Sequence, residues 1–225
     1  MQTFSKSKIR VIAFDVDGTL FSSEDIIHET YIESIQNFID ASGKKVIIPT
    51  KEKIIEQVGL PVKQIFKNLL PELEELERDS ISDNVLGFLC KKIESKKGKL
   101  YDGVVETIQE LHNRNYTLCV ASNGRSPYIL SILQTYGLES FFQKLVVINN
   151  KGIESKGDIL KSYINQFHCS GENILMVGDR KSDLDAALDA ESPFAFCEYG
   201  HAELGEIDTY AMKLTIIKDL LDYLA

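Results

Sequence analysis

The sequence predicts an α/β fold: a doubly wound parallel sheet with helices on both faces, interrupted after its first strand by an all-helical insert. Three observations carry this reading. Short apolar runs recur along the chain, helical patterns fill most of the intervals between them, and one long stretch breaks the alternation.

The first run, Arg10-Val-Ile-Ala-Phe14, stops abruptly at Asp15, as a buried strand does when it delivers polar residues at its end. Comparable runs at residues 117–121, 144–148, 173–177 and 193–197 read as further strands. Helical patterns at 104–113, 127–136, 157–167 and 182–190 supply the connections. Between residues 22 and 97 no strand is evident, and helical patterns at 26–41, 51–58, 62–70 and 81–95 are punctuated by Pro49, Gly59, Pro61 and Pro71. This stretch reads as a second domain, 22–97, set into a core made of 1–21 and 98–225, with hinges near 21–23 and 97–102. The acidic run at 72–77 is expected to be a solvated helix face.

Composition bounds the function. With 225 residues, 44% of them hydrophobic, the chain is an ordinary globular protein. Its net charge of -9 and lack of a basic run argue against nucleic acid as a partner. No apolar run approaches the ~18 residues of a spanning helix, and the polar start of the chain does not read as a signal peptide, so a cytoplasmic protein away from membranes is expected. Cys90, Cys119, Cys169 and Cys197 are scattered without zinc or disulfide spacing, and Cys119 and Cys197 lie in apolar runs where a thiol packs as a small hydrophobe. His28, His112, His168 and His201 are dispersed and receive no role.

The chemistry gathers where the apolar runs end. In Asp15-Val-Asp17-Gly18-Thr19-Leu20 two carboxylates spaced by two share one side of an extended chain, so they can converge on one metal or one substrate. Gly18 permits a sharp departure, although Asp-Gly is also a common turn pair. Gly178-Asp179-Arg-Lys-Ser-Asp183 follows another run, with Ser182 and Asp185 offering a capping box. Strand tips of a parallel sheet share one edge, so Asp179 can meet Asp15. Asp183, in a first helical turn, is also explained by the macrodipole alone. Ser122-Asn123-Gly124 offers hydroxyl and N–H donors for phosphoryl oxygens, or a plain turn. Lys156 opens a helix against the dipole, which hints at an anion nearby, and Lys151 competes for that role.

Taken together, these segments resemble the motifs of the haloacid dehalogenase superfamily, and the whole chain is similar to its phosphoglycolate-phosphatase-like branch. Phe14-Asp-Val-Asp-Gly-Thr-Leu20 resembles the first motif, Ala121-Ser-Asn-Gly124 the second, Lys156 the third and Val177-Gly-Asp-Arg-Lys-Ser-Asp183 the fourth. The insert resembles the family's cap, and Leu100-Tyr-Asp-Gly-Val104 the return to the core. Asp102 and Gly157 stand where the family often has proline.

The resemblance implies a Mg²⁺-dependent phosphatase acting on a small phosphorylated metabolite, phosphoglycolate first, as a monomer or homodimer. It implies Asp15 as nucleophile and Asp17 as general acid and base. Magnesium would be held by the Asp15 and Asp179 carboxylates and the Asp17 carbonyl. Ser122, Asn123 and Lys156 would bind the phosphoryl group, and Asp183 would orient the metal shell. A phosphosugar mutase and a non-catalytic phosphate-binding regulator are the alternatives. A dehalogenase is disfavoured, because that chemistry needs neither an acid at Asp17 nor a metal.

Overall fold

A computed structural model describes residues 5–148, 150 and 152–225. The elements in chain order are β1 (Val11–Phe14), β2 (Phe21–Ser22), α1 (Glu24–Ser42), α2 (Lys51–Glu56), α3 (Val62–Leu69), α4 (Glu75–Glu94) and β3 (Lys99–Leu100). They continue with α5 (Val104–Asn113), β4 (Thr117–Val120), α6 (Ser126–Thr135), α7 (Lys156–Gln166), β5 (Ile174–Gly178), α8 (Lys181–Asp189), β6 (Phe194–Cys197), β7 (Met212–Leu214) and α9 (Asp219–Tyr223).

Five strands form one parallel sheet in the order β4-β1-β5-β6-β7. Because helices cover both faces, β1, β5 and β6 are buried along their whole length, which is why they read as unbroken apolar runs. Phe14 stands opposite both Val120 and Val177, so the residues that follow these three emerge at one edge. Cys119 and Cys197 are buried in this core, as their apolar settings predict.

One expectation needs correction. Residues 144–148 form no strand: the chain meets the outer edge of β4 at a single bridge from Phe142 to Leu118, with the Gln143 N–H donating to the Leu118 carbonyl (2.9 Å). The cause lies in one-sided cover, for Lys144 is exposed and 145–148 are only half-buried. At the expected hinges β2 and β3 pair antiparallel, Phe21 with Leu100 and Ser22 with Lys99. Strand β7 is three residues long and offered no readable run.

Residues 24–94 are helical between loops. Helix α1 packs on α4 and α2, and α4 also rests on α6, so apolar side chains run continuously from the insert into the sheet's helices. Tyr31 of α1 stacks on Phe66 of α3 with centroids 5.3 Å apart. Inside α1, the buried hydroxyls of Thr30 and Ser34 donate to the Ile26 and Thr30 carbonyls (2.6 and 2.8 Å), which lets polar residues face the core without cost in unpaired groups. The acidic run starts later than a full helix face: Leu73 is buried, and α4 begins at Glu75, with the Glu77 carboxylate accepting the Glu74 N–H (3.1 Å). Among the described residues, no helix is long and apolar enough to cross a membrane.

Candidate active site

Asp15 follows β1 and is anchored by its N–H donating to the Val177 carbonyl of β5 (2.9 Å). The chain then turns through Gly18 at φ +78°, and a Cβ there would lie 2.0 Å from Asp179 Oδ2. Glycine thus serves both the left-handed backbone and the close approach of the two strand tips. The outcome is a buried cluster in which Asp15, Asp179 and Asp183 each bring an oxygen within 4.8 Å of the others.

Asp183 closes the start of its own helix and also meets Lys156. One carboxylate oxygen accepts the N–H groups of Asp179 and Arg180 (3.1 and 2.9 Å), capping α8, while the other accepts Lys156 Nζ (2.6 Å). The Ser182–Asp185 capping box does not form. Asp185 instead pairs with Lys181 on the surface (2.5 Å), since the helix starts one residue earlier than the sequence suggested.

Lys156 enters from the first turn of α7, whose N-cap Ser155 accepts the Asp158 N–H (3.1 Å). Its ammonium donates to Asp15 Oδ1 (2.9 Å) and to Asp183. Burial opposes its charge, but the two carboxylates outweigh burial and hold the ammonium above its ordinary range. The competing Lys151 lies outside the described residues.

Counting bonds shows what a cation could use. Both Asp183 oxygens are occupied, whereas Asp15 Oδ2 is buried and unpartnered. Asp179 accepts the His201 backbone N–H at Oδ2 (2.6 Å), and the Thr19 hydroxyl reaches its Oδ1 only at 3.5 Å. Burial, followed by the charges of Asp183 and Asp15, pushes the Asp179 carboxyl well above the usual carboxylate range, and burial likewise raises Asp15. Three buried acids facing one lysine leave uncompensated negative charge beside free oxygens. A hard divalent cation with oxygen ligands fits that donor set.

Asp17 lies across the turn, facing a cavity of about 90 Å³ between the strand tips and the helical insert. Tyr128 Oη and Ser23 Oγ both donate to its Oδ1 (2.6 and 3.1 Å), and Asp17 lines the cavity. Burial raises its carboxyl despite these bonds, which favours the protonated form an acid needs. Ser122 lines the same cavity and accepts the Gly124 N–H (3.1 Å), so its own proton is available to a ligand. The Asn123 side-chain amide donates to the Gly59 carbonyl of the insert (2.7 Å), which leaves its backbone N–H as the group facing a ligand's phosphoryl oxygens. Arg180 makes a second tie, to the Val58 carbonyl (2.7 Å).

Sequence reasoning missed Ser23, Tyr128, Arg180 and His201. Tyr128 reads as an ordinary core aromatic of α6, and His201 acts through its backbone, which no side-chain pattern announces. Only the adjacency of Ser23 to the first motif and of Arg180 to Asp179 could have flagged those two.

A sequence profile of haloacid dehalogenase-like hydrolases matches residues 12–197. The chain belongs to the haloacid dehalogenase-like hydrolase family. Among relatives of this haloacid dehalogenase-like hydrolase, pyrophosphatase PpaX of Halalkalibacterium halodurans is 25% identical over 79% of this chain and 78% of that protein. Phosphoglycolate phosphatase of Vibrio vulnificus is 26% identical over 88% and 87%. A predicted phosphoglycolate phosphatase from Haemophilus somnus superposes with a TM-score of 0.85 at 18% identity, covering 97% of this chain and 99% of that one. CbbY from Rhodobacter sphaeroides, solved in complex with phosphate, gives 0.77 at 18% over 94% and 96%. The two structures establish the shared fold.

Proposed function

We propose that this hydrolase is a Mg²⁺-dependent phosphatase that cleaves a small phosphate monoester through an aspartyl-phosphate on Asp15. The observation that carries the reading is the meeting of two carboxyls with different partners at one cavity: Asp15, ion-paired with Lys156, and Asp17, held by the Tyr128 and Ser23 hydroxyls. Magnesium, held by the Asp15 and Asp179 carboxylates and the Asp17 carbonyl with Asp183 behind them, would neutralise phosphoryl charge and align the phosphorus for in-line attack.

The chain's own groups supply the rest. Lys156 opposes the burial that raises the Asp15 carboxyl and orients it for attack. An Asp15 oxygen attacks phosphorus as the ester P–O bond breaks, and Asp17 delivers its proton to the departing alkoxide. Asp17, now a carboxylate, takes a proton from water, whose oxygen attacks phosphorus and restores Asp15. Ser122, Lys156 and the Asn123 backbone N–H hold the phosphoryl oxygens, the Asn123 side chain being committed to Gly59. Residues 22–97 act as a cap on the core formed by 1–21 and 98–225. The proposed setting is the cytoplasm, with a small phosphorylated metabolite as ligand and the protein a monomer or homodimer. The names of the two relatives and the resemblance nominate phosphoglycolate and pyrophosphate as first substrates to assay.

Asp17→Asn tests the mechanism. It keeps the backbone carbonyl and the shape but removes the proton carrier. With nitrophenyl phosphate and magnesium it should give a stoichiometric burst of nitrophenol, then turnover slowed by roughly 10²-fold or more. Alkyl phosphates should show no burst, and Asp15→Asn no burst with either substrate. Parental turnover of alkyl phosphates by Asp17→Asn, or a phosphate label on another residue, would sink the proposal.

A further inference from the structure

We infer that the leaving group selected by this cavity is small, uncharged and largely apolar, a short-chain alcohol, and that the anionic leaving groups of phosphoglycolate and pyrophosphate are disfavoured. The inference rests on the phosphatase reading and concerns the half of the cavity that reading leaves undefined. Its floor is Asp15, Asp17 and the 122–124 turn, which together take the phosphoryl group. Its walls and roof come from the insert, chiefly Ile27, Tyr31, Leu60, Phe66, Val85 and Leu89. The stacked Tyr31 and Phe66 rings fix one wall, and the Asn123 and Arg180 bonds to Gly59 and Val58 hold the loop that carries Leu60 against the core.

Among the described residues lining this space, Arg125 alone carries a positive charge. Its guanidinium is already divided between the Ser82 carbonyl (2.8 Å) and the Asp83 carboxylate (2.5 Å). Lys63 and Lys67 line a different cleft, and Lys63 is paired there with Glu75 (2.8 Å). A carboxylate or second phosphate placed under this roof would lose its water, meet only a guanidinium already shared with Asp83 and Ser82, and sit beside Asp17. Burying an unpaired charge is far costlier than burying a methyl group of the same size. Size sets the other bound, a small leaving group, since about 90 Å³ is below the ~150 Å³ of an apolar cavity that takes up benzene.

Propyl phosphate and 2-phosphoglycolate are near in size and differ in the charge of the leaving group, so they form the test pair. With the full-length protein and magnesium, kcat/KM for propyl phosphate should exceed that for phosphoglycolate and for pyrophosphate by at least about tenfold. Leu86→Lys, which sets an ammonium on the half-buried edge of the cavity, should move the ratio at least about tenfold toward phosphoglycolate, and Leu86→Met should leave it unchanged. Should Leu86→Lys fail to fold, the parental ratio decides alone. A parental preference for phosphoglycolate or pyrophosphate overturns the inference while leaving the phosphatase reading intact. If that preference vanishes in Arg125→Gln, the guanidinium is the carboxylate clamp. Failure to turn over any phosphoester overturns the phosphatase reading and this inference with it.

Discussion

The proposed mechanism gives Asp17 two opposite tasks, and its neighbours pull its carboxyl in opposite directions. Burial favours its protonated form, while the Tyr128 and Ser23 hydroxyls, both bonded to Oδ1, favour the carboxylate. Tyr128 is itself pushed above its ordinary range, first by burial and then by the Asp17 charge, so it stays a donor across the accessible pH range. Tyr128→Phe removes the larger of the two hydroxyl effects and should raise the Asp17 pKa further. The sign differs between the two half-reactions. In the proposed mechanism protonated Asp17 releases the alcohol, so the basic limb of kcat/KM should move to higher pH. In the same proposal ionised Asp17 activates water, so the acidic limb of kcat, where hydrolysis limits, should also move up. A pH profile unchanged in both limbs would show that the 2.6 Å contact does not tune the acid.

At the scale of elements, α7 exists in this position to present Lys156. A lysine in a first helical turn opposes the dipole, and the cap offsets it: Asp158 accepts the N–H groups of Glu154 and Ser155 (both 3.0 Å) while Ser155 accepts the Asp158 N–H. Ser155→Ala should cost about 1 kcal/mol of stability, read by denaturant midpoint, and lower activity by loosening Lys156. Full activity with lost stability would separate the cap from the site. These elements were legible because buried parallel strands leave unbroken apolar runs, and an Asp, Ser or Gly directly after such a run must emerge at the common edge. Asp15, Asp179 and Ser122 were found in this way. The segment at 144–148 misled for the converse reason, since an apolar run can lie along a sheet edge without joining it. The partners of Asp17 and the roof of the cavity were not legible at all. Tyr128 and Val85 carry the same signal as any buried residue of their helices, and only packing of α4 against α6 turns that signal into a wall.

For the whole molecule, the net charge of -9 and the acidic cluster pose one problem at two distances. The fold buries three carboxyls against a single lysine, so the metal-free site stores repulsion that stabilises neither strand tip. Asp179 is held well above the ordinary value of 3.8, and burial, partly countered by Lys156, pushes Asp183 up to about 6. A carboxyl whose folded pKa is raised binds its proton more tightly folded than unfolded. The contribution is therefore fully present below the unfolded value and is lost as pH rises through the folded one. Metal-free stability should fall between about pH 3.8 and 6, and further as Asp179 ionises. Magnesium should restore it, because a ligand at about 100 times its Kd adds about 2.7 kcal/mol, and at about 2–4 °C per kcal/mol for a chain of this size the melting temperature should rise by about 5–10 °C. Asp179→Asn separates the causes. The amide can still accept the His201 N–H but carries no charge, so at neutral pH this variant without metal should melt above the metal-free parent and show no response to magnesium. Thermal melts of both proteins with and without chelator decide the matter: a variant that melts lower and still gains stability from magnesium would remove Asp179 from the cation site.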